Sequence, residues 1–347
     1  AEFLHRMLTC DLQRLAGDTT RRGFQLNDKG RIVADLMVHH GDADTWLETD
    51  VLDLPALQEL LEQRLFAEDV ALEDFSAQRT KLVLHGPAAL ALLRAVADEP
   101  ARADRVAETA GTHHVVPVNG APVSVYRRDD AGALGLHLLV PTDTADAQYQ
   151  TLLDAAGFEP GDDAEPDAEA AQRRRSTLRG RPVGWLAYNT ARIEAGTPVF
   201  HVDFGHDSLP AETGVIEEAV NFNKGCYIGQ EIVARMRDRG HPKRVLVGLK
   251  LSGEALPVAG AQVYEAGEDD EGESDPAFRS AQQRRLAGAA VIGGVTSSTL
   301  SPMLGRRAIA FAVMKWGRHE LGTRVRVAAD EGITEGEVHP LRFLDSA

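Results

Sequence analysis

The chain has 347 residues, 43% hydrophobic, 26% charged and only 5% aromatic, with a net charge of −16. That length calls for two or three packed domains with aliphatic cores, and the acidic balance argues against broad attraction to nucleic acid. Two cysteines cannot frame a disulfide scaffold or a four-thiolate metal site, which points to a reducing compartment, and no run nears the roughly 20 apolar residues of a membrane span.

The chain opens at Ala1 without methionine, which reads as a start that lacks upstream residues. Phe3, Leu4, Met7, Leu8, Leu12 and Leu15 have helical spacing, with Gly17 as a stop. "GRIVADLMVHH" (Gly30–His40) is a strand after the turn-forming "NDKG". A helix opened by Pro55 covers Leu54–Leu65. "KLVLHG" is a strand, and Pro87 opens a helix that runs to Val96. Asn119-Gly120 between two β-rich arms, Val115–Arg127, is a hairpin signal. "LGLHLLVP" is a further strand, followed by a helix to Ala156. Strands and helices alternate with hairpins between them, an α+β order. From Val245 onward, short β-rich runs broken by Gly and Pro read as a small barrel. The domains are then 1–243 and 244–347, with acidic-then-basic surface insertions at 157–181 and 265–285.

Cys226 stands in "NFNKGCYIGQEIVARMRDRG", between Gly225 and Tyr227, just ahead of a segment with helical apolar spacing. A helix N-terminus and the neighbouring Lys224 would both favour its thiolate. A small buried residue packing the turn accounts for the same spacing equally well. Cys10, in the first amphipathic segment, reads as a core or helix-face residue. The histidine pairs His39-His40, His113-His114 and His201 with His206 have no HExxH or paired CxxC around them. They read as turn and edge histidines, with no metal site.

"KGCYIGQE" (Lys224, Gly225, Cys226, Tyr227, Ile228, Gly229, Gln230, Glu231) resembles the K-G-C-[FY]-x-G-Q-E signature of the YgfZ branch of the folate-binding proteins, related to the glycine cleavage T-protein. "FLHRMLTCDL", "LNDKGRIVADLMV", "HGPAA", "ARIEAG", "GGVTSSTLSPMLG" and "AIAFAV" resemble the wider superfamily in the same order. The resemblance implies a three-lobed ring, with two interleaved ferredoxin-like lobes and a C-terminal β-barrel around a hole that takes tetrahydrofolate. It implies that Glu194, in Arg192-Ile193-Glu194-Ala195-Gly196, anchors the pterin. Tyr188 and Trp185 would stack on the ring or line the cavity, and Asn27 and Asp35 would contribute to the folate site. In the aminomethyltransferases of the family, G-x-[IV]-x-D-D-L supplies an aspartate beside the folate; its first aspartate position here is Ala34, and Asp35 is the second. Successive strand residues face opposite ways, so Asp35 is not taken as a replacement. The implied function is therefore a folate-binding accessory protein for iron–sulfur cluster assembly or repair. Cys226 would be its functional thiol, holding a cluster in passing, and assembly proteins or client enzymes would be its partners. Tetrahydrofolate-dependent aminomethyl transfer is the alternative. The basic run Arg235, Arg237, Arg239, Lys243 and Arg244 would hold the folate tail or an acidic partner, or else form a solvated helix face. The compartment implied is cytoplasmic, or the mitochondrial matrix in a eukaryote.

Overall fold

A computed structural model describes residues 1–13, 17–41, 44–158, 179–266, 290–330 and 332–344. Most of both insertions lies outside the described residues, as does Leu15. The described residues form three β-systems. The first is a three-stranded antiparallel sheet of β1 (Thr19–Leu26), β2 (Ile32–His40) and β3 (Thr45–Glu48). The second has order β4-β7-β6-β5, from β4 (Arg79–His85), β5 (His113–Val118), β6 (Ala121–Arg127) and β7 (Gly135–Pro141). The third is a closed barrel built from β8 (Arg244–Leu251), β9 (Gln262–Glu265), β10 (Val291–Ser301), β11 (Arg307–Lys315), β12 (Arg324–Ala329) and β13 (Gly332–His339). The α+β architecture ending in a barrel is the one expected, and closure leaves the barrel no free strand edge.

The opening helix is shorter than the periodicity implies. α1 covers Glu2–Met7, and Leu8 is already extended. Leu8 bridges Gln25, and the Thr9 N–H donates to the Phe24 carbonyl, so the segment spends its backbone bonds on β1 instead of a further helical turn. Cys10 is buried in the lobe core, as expected. Strand β2 follows the period-2 rule: Ile32, Ala34, Leu36 and Val38 are sealed inside. Asn119 and Gly120 both take positive φ, 51° and 72°, the geometry a two-residue hairpin turn needs. In the second lobe α3 (Ala89–Val96), α4 (Pro100–Glu108) and α5 (Ala145–Ala155) pack on the sheet over one aliphatic core.

The chain then returns to the first lobe. Phe200, Phe204, Val215, Ala219, Val220 and Tyr227 pack against Phe24, Leu26 and Ile32 of β1 and β2. The first lobe is thus completed by residues that follow the whole of the second, which is the interleaving. Between the two runs α6 (Trp185–Ala195) docks on the barrel. Strand β10 offers it a period-2 hydroxyl row. Thr299 meets Thr190 at 2.7 Å, Ser297 accepts from Arg192 at 2.6 Å, and Ser301 donates to Glu194 at 2.5 Å. Arg192 is fully buried and ion-paired with Asp203, which also accepts from Thr296 and Ser297. Strand β11 matches this by alternation. Ala308, Ala310 and Ala312 fill the narrow barrel, whereas Ile309 and Phe311 face the α6 side beside Ile193 and Phe343.

Candidate functional site

A cavity of about 1040 Å³ opens between the lobes, lined by β2, β3, β4, β7, α6 and the segment from Thr197 to Phe200. Its walls are apolar from Leu82, Leu84, Leu92 and Leu152, with charged groups set among them, the mix small-molecule sites use. Asp35 is on the wall. Arg22, buried on the neighbouring strand, grips its carboxylate with two bonds of 3.0 and 2.6 Å. Such a bidentate pair fixes carboxylate orientation. The same alternation that turns Asp35 outward turns Ala34 into the lobe core, where it is 0% exposed. In this strand it is Asp35, the second position of the A-D-L run, that lines the cavity, and Ala34 does not.

Further polar and charged groups line the cavity. Glu48, at the end of β3, takes the Tyr126 hydroxyl at 3.0 Å, His39 at 3.3 Å and an ion pair from Lys81. Burial works against its charge, but His39 and Lys81 outweigh it and hold the carboxyl well below the usual range. Asp130 pairs with Arg128 at 2.6 Å and with His137 at 3.4 Å. Burial again opposes ionisation, and Arg128 and His137 together bring it down to about 2. His85 and His137 are both pushed down, first by burial; for His85 the charge of His137 adds to this. Among the described residues the buried Nδ1 atoms of His85 and His137 have no hydrogen-bond partner. Buried polar atoms of this kind are ordinarily satisfied by a ligand or an ordered water. Tyr188, which also lines the cavity, lies 5.6 Å from the His85 ring, and burial raises its hydroxyl to about 12.

The other expected site residues stand elsewhere. Trp185 is 59% exposed and touches Tyr188 at 5.7 Å between ring centres, outside the cavity lining. Glu194 does not line the cavity: it is turned to the barrel, where its carboxylate accepts from Ser301 and from the Met303 N–H at 3.3 Å. With Arg192 it latches α6 to β10. Asn27 shapes the turn before β2, its side chain accepting from the Lys29 and Arg31 N–H groups at 2.9 and 3.1 Å. The basic run is not on the cavity either. Arg244 pairs with Asp207 and Glu212, Arg237 with its neighbour Asp238, and Arg235, Arg239 and Lys243 lie exposed.

The cysteine motif forms a clamp on the outside of the first lobe. The helix after it, α8, covers Gln230–Arg239, so Cys226 stands four residues ahead of its first turn and not at its N-terminus. Lys224 points away from the thiol. Its buried ammonium donates to the carbonyls of His5, Leu8 and Cys10 at 2.5, 2.5 and 2.8 Å, and sits 5.1 Å over the Tyr227 ring. Burial lowers it to about 8. Gly229 has φ 78°, and a Cβ there would come within 2.8 Å of the Asn27 carbonyl. Tyr227 is core, Gln230 reaches back to the Gly225 carbonyl at 3.4 Å, and Glu231 is exposed. Cys226 is exposed and does not line the cavity.

Residues 1–164 match the model of the GCVT N-terminal domain, and residues 244–345 that of the glycine cleavage T-protein C-terminal barrel domain. The chain belongs to the glycine cleavage T-protein superfamily. It is 26% identical over 356 residues to an aminomethyltransferase of Chlorobium luteolum, covering 100% of this chain and 82% of that protein. An aminomethyltransferase of Shouchella clausii is 27% identical over 308 residues, covering 87% of this chain and 70% of the other. In fold the chain is similar to the crystal structure of glycine cleavage system aminomethyltransferase T from Bartonella henselae. The TM-score is 0.73 at 23% identity, over 99% of this chain and 81% of that one. Within the described residues no helix is long and apolar enough to cross a membrane.

Sequence reasoning missed Arg22, Glu48, Arg128, Asp130, His85 and His137. One signal was available: "TTRRGFQL" places an arginine among β-formers opposite an aspartate-bearing strand. The His201 and His206 pair, read as turn histidines, converges on Asp53.

Proposed function

We propose that the central cavity binds tetrahydrofolate and that the chain acts on the one-carbon unit this carrier holds, as a tetrahydrofolate-dependent aminomethyltransferase. The observation that carries the reading is Asp35, a carboxylate on the cavity wall held in one orientation by Arg22. The lining suits a pterin with an acidic tail. Tyr188 offers a ring to stack on, Asp35, Glu48 and Asp130 offer acceptors for amino N–H groups, and the Nδ1 atoms of His85 and His137 are unspent. Lys81, Arg128 and Arg181 offer cations for tail carboxylates. When bound, tetrahydrofolate supplies the nitrogens between which a one-carbon unit is carried. Asp35 then holds or accepts a proton at the reacting nitrogen, and Arg22 keeps the carboxylate aimed there. The test supplies an aminomethyl-lipoyl carrier protein and tetrahydrofolate and measures methylene-tetrahydrofolate. Asp35→Asn is expected to lower turnover by roughly 10²–10⁴-fold; unchanged turnover would end this reading.

A second reading rests on Cys226, the one chemically versatile member of its motif that packing does not use. In that reading the exposed thiol of a YgfZ-type protein serves iron–sulfur assembly proteins or client enzymes, with the cluster as cargo. Cys10 cannot share the load, because burial raises its thiol to about 11. A passing cluster would need its other ligands from a partner. Rescue of iron–sulfur enzyme activity in a deficient cell is the assay, and full rescue by Cys226→Ala removes the thiol from the function.

A further inference from the structure

Behind one wall of the cavity, at the start of α2 (Leu54–Glu62), Asp53 is completely buried. An aspartate at this helix-capping position ordinarily accepts a backbone N–H of the first turn. Here no side-chain cap bond is made. The carboxylate is turned to two imidazoles instead. His201 Nε2 lies 3.0 Å from both carboxylate oxygens, and His206 Nε2 lies 2.8 Å from Oδ1. The three candidate ligand atoms fall within 4.8 Å of one another.

We propose that Asp53, His201 and His206 form a binding site for a divalent first-row transition metal, with Zn²⁺ the best fit. Two imidazole nitrogens and one carboxylate are the borderline donors such ions select. A tetrahedral ion with bonds of about 2.0–2.1 Å sets its ligands roughly 3.3 Å apart. The two carboxylate–imidazole spacings therefore need to open by only about 0.3–0.5 Å. The backbone is committed to the arrangement. His201 takes φ 66°, a conformation uncommon for a non-glycine residue. It is held there by its N–H donating to the Phe204 carbonyl at 2.8 Å and by the Phe200–Phe204 bridge. Phe200 backs both rings, at 4.3 and 5.4 Å between centres, and orients them. The fourth position faces outward: the His206 side chain is 55% exposed and that of His201 27%. Three protein ligands with one open position is the pattern of an exchangeable or reactive ion, whereas a purely structural ion is closed on all sides. The site also adjoins the folate cavity, since Asp50 and Phe200 line that cavity from the same two segments.

Tag-free full-length protein, stripped with a chelator, is titrated with Zn²⁺ by calorimetry and with Co²⁺ by visible absorption. The wild type is expected to take up one equivalent and to give the intense bands of low-coordinate cobalt. His206→Ala, at a half-exposed position that leaves the fold intact, and Asp53→Asn are both expected to weaken that equivalent by more than roughly 100-fold. His241→Ala, whose ring stacks on Trp316 and takes no part in the cluster, is expected to bind as the wild type does. Circular dichroism confirms that each variant is folded. If the wild type takes up no equivalent, or His206→Ala retains it, the three residues are a hydrogen-bonded cluster and the proposal is wrong. None of these readouts involves folate, so they stand or fall apart from the proposed transferase activity.

Discussion

The cavity and the cysteine loop invert what their sequences advertise. The loop carries the densest motif in the chain, yet most of its members are spent on attachment. Lys224 satisfies three carbonyls left by α1 and the turn after it, Gly229 permits contact with the Asn27 turn, and Tyr227 fills the core. The cavity has no compact motif, yet it gathers ion-paired carboxylates, unspent imidazole nitrogens and a tyrosine tilted against an imidazole from six separate elements and segments. A local motif is dense where neighbours in sequence must pack on one another. A site assembled by tertiary contact leaves single residues scattered along the chain.

Four experiments sharpen that contrast. The largest effect belongs to Asp35→Asn, with the roughly 10²–10⁴-fold loss of turnover given above, against no loss for Cys226→Ala. Next is Lys224→Met, which strips three buried carbonyls of their donor. It is expected to cost about 1–3 kcal/mol in urea unfolding while leaving folate affinity of the folded protein unchanged. Acid titration is third and should single out the cavity. His85 and His137 are held below their ordinary value by burial, so the unfolded chain binds more protons than the folded one as pH falls through 6.5. Stability conferred by their neutral state is present above that value and is lost below it. A second loss follows below about pH 4, where unfolded carboxylates protonate while Glu48 and Asp130 resist. Thermal melting should therefore fall monotonically from pH 7 to 3, and His137→Phe should flatten the limb between pH 7 and 5. The smallest effect is Cys226→Ala, expected to change stability by less than about 0.5 kcal/mol. Native-state alkylation should modify Cys226 and spare Cys10.

Much of the fold was legible because it follows from local rules. The NDKG turn, the Asn119-Gly120 hairpin, the proline-opened helices and the short runs of the barrel each carry their cause in neighbouring residues. Strand β1 was illegible because Arg21, Arg22 and Gly23 interrupt its apolar pattern. Arg22 is buried only because Asp35 waits for it across the sheet. Strand β3 is four residues long, and α4 buries little beyond Ala103 and Val106. For the site, family resemblance pointed to Asp35 and Tyr188, which do reach the cavity, and to Glu194, Asn27 and Trp185, which do not line it. What separated the two groups was side-chain direction, set by strand alternation in β2 and by the docking of α6 on a hydroxyl row 105 to 107 residues away in sequence.

The account rests on the cavity, not the cysteine loop, as the place where folate binds. Titration of tetrahydrofolate against wild type, Tyr188→Ala and Cys226→Ala, followed by calorimetry, tests this most directly. The account predicts at least a tenfold weakening for Tyr188→Ala, equivalent to about 1.4 kcal/mol, with wild-type affinity for Cys226→Ala. Undiminished binding in the tyrosine variant together with lost binding in the cysteine variant would contradict it.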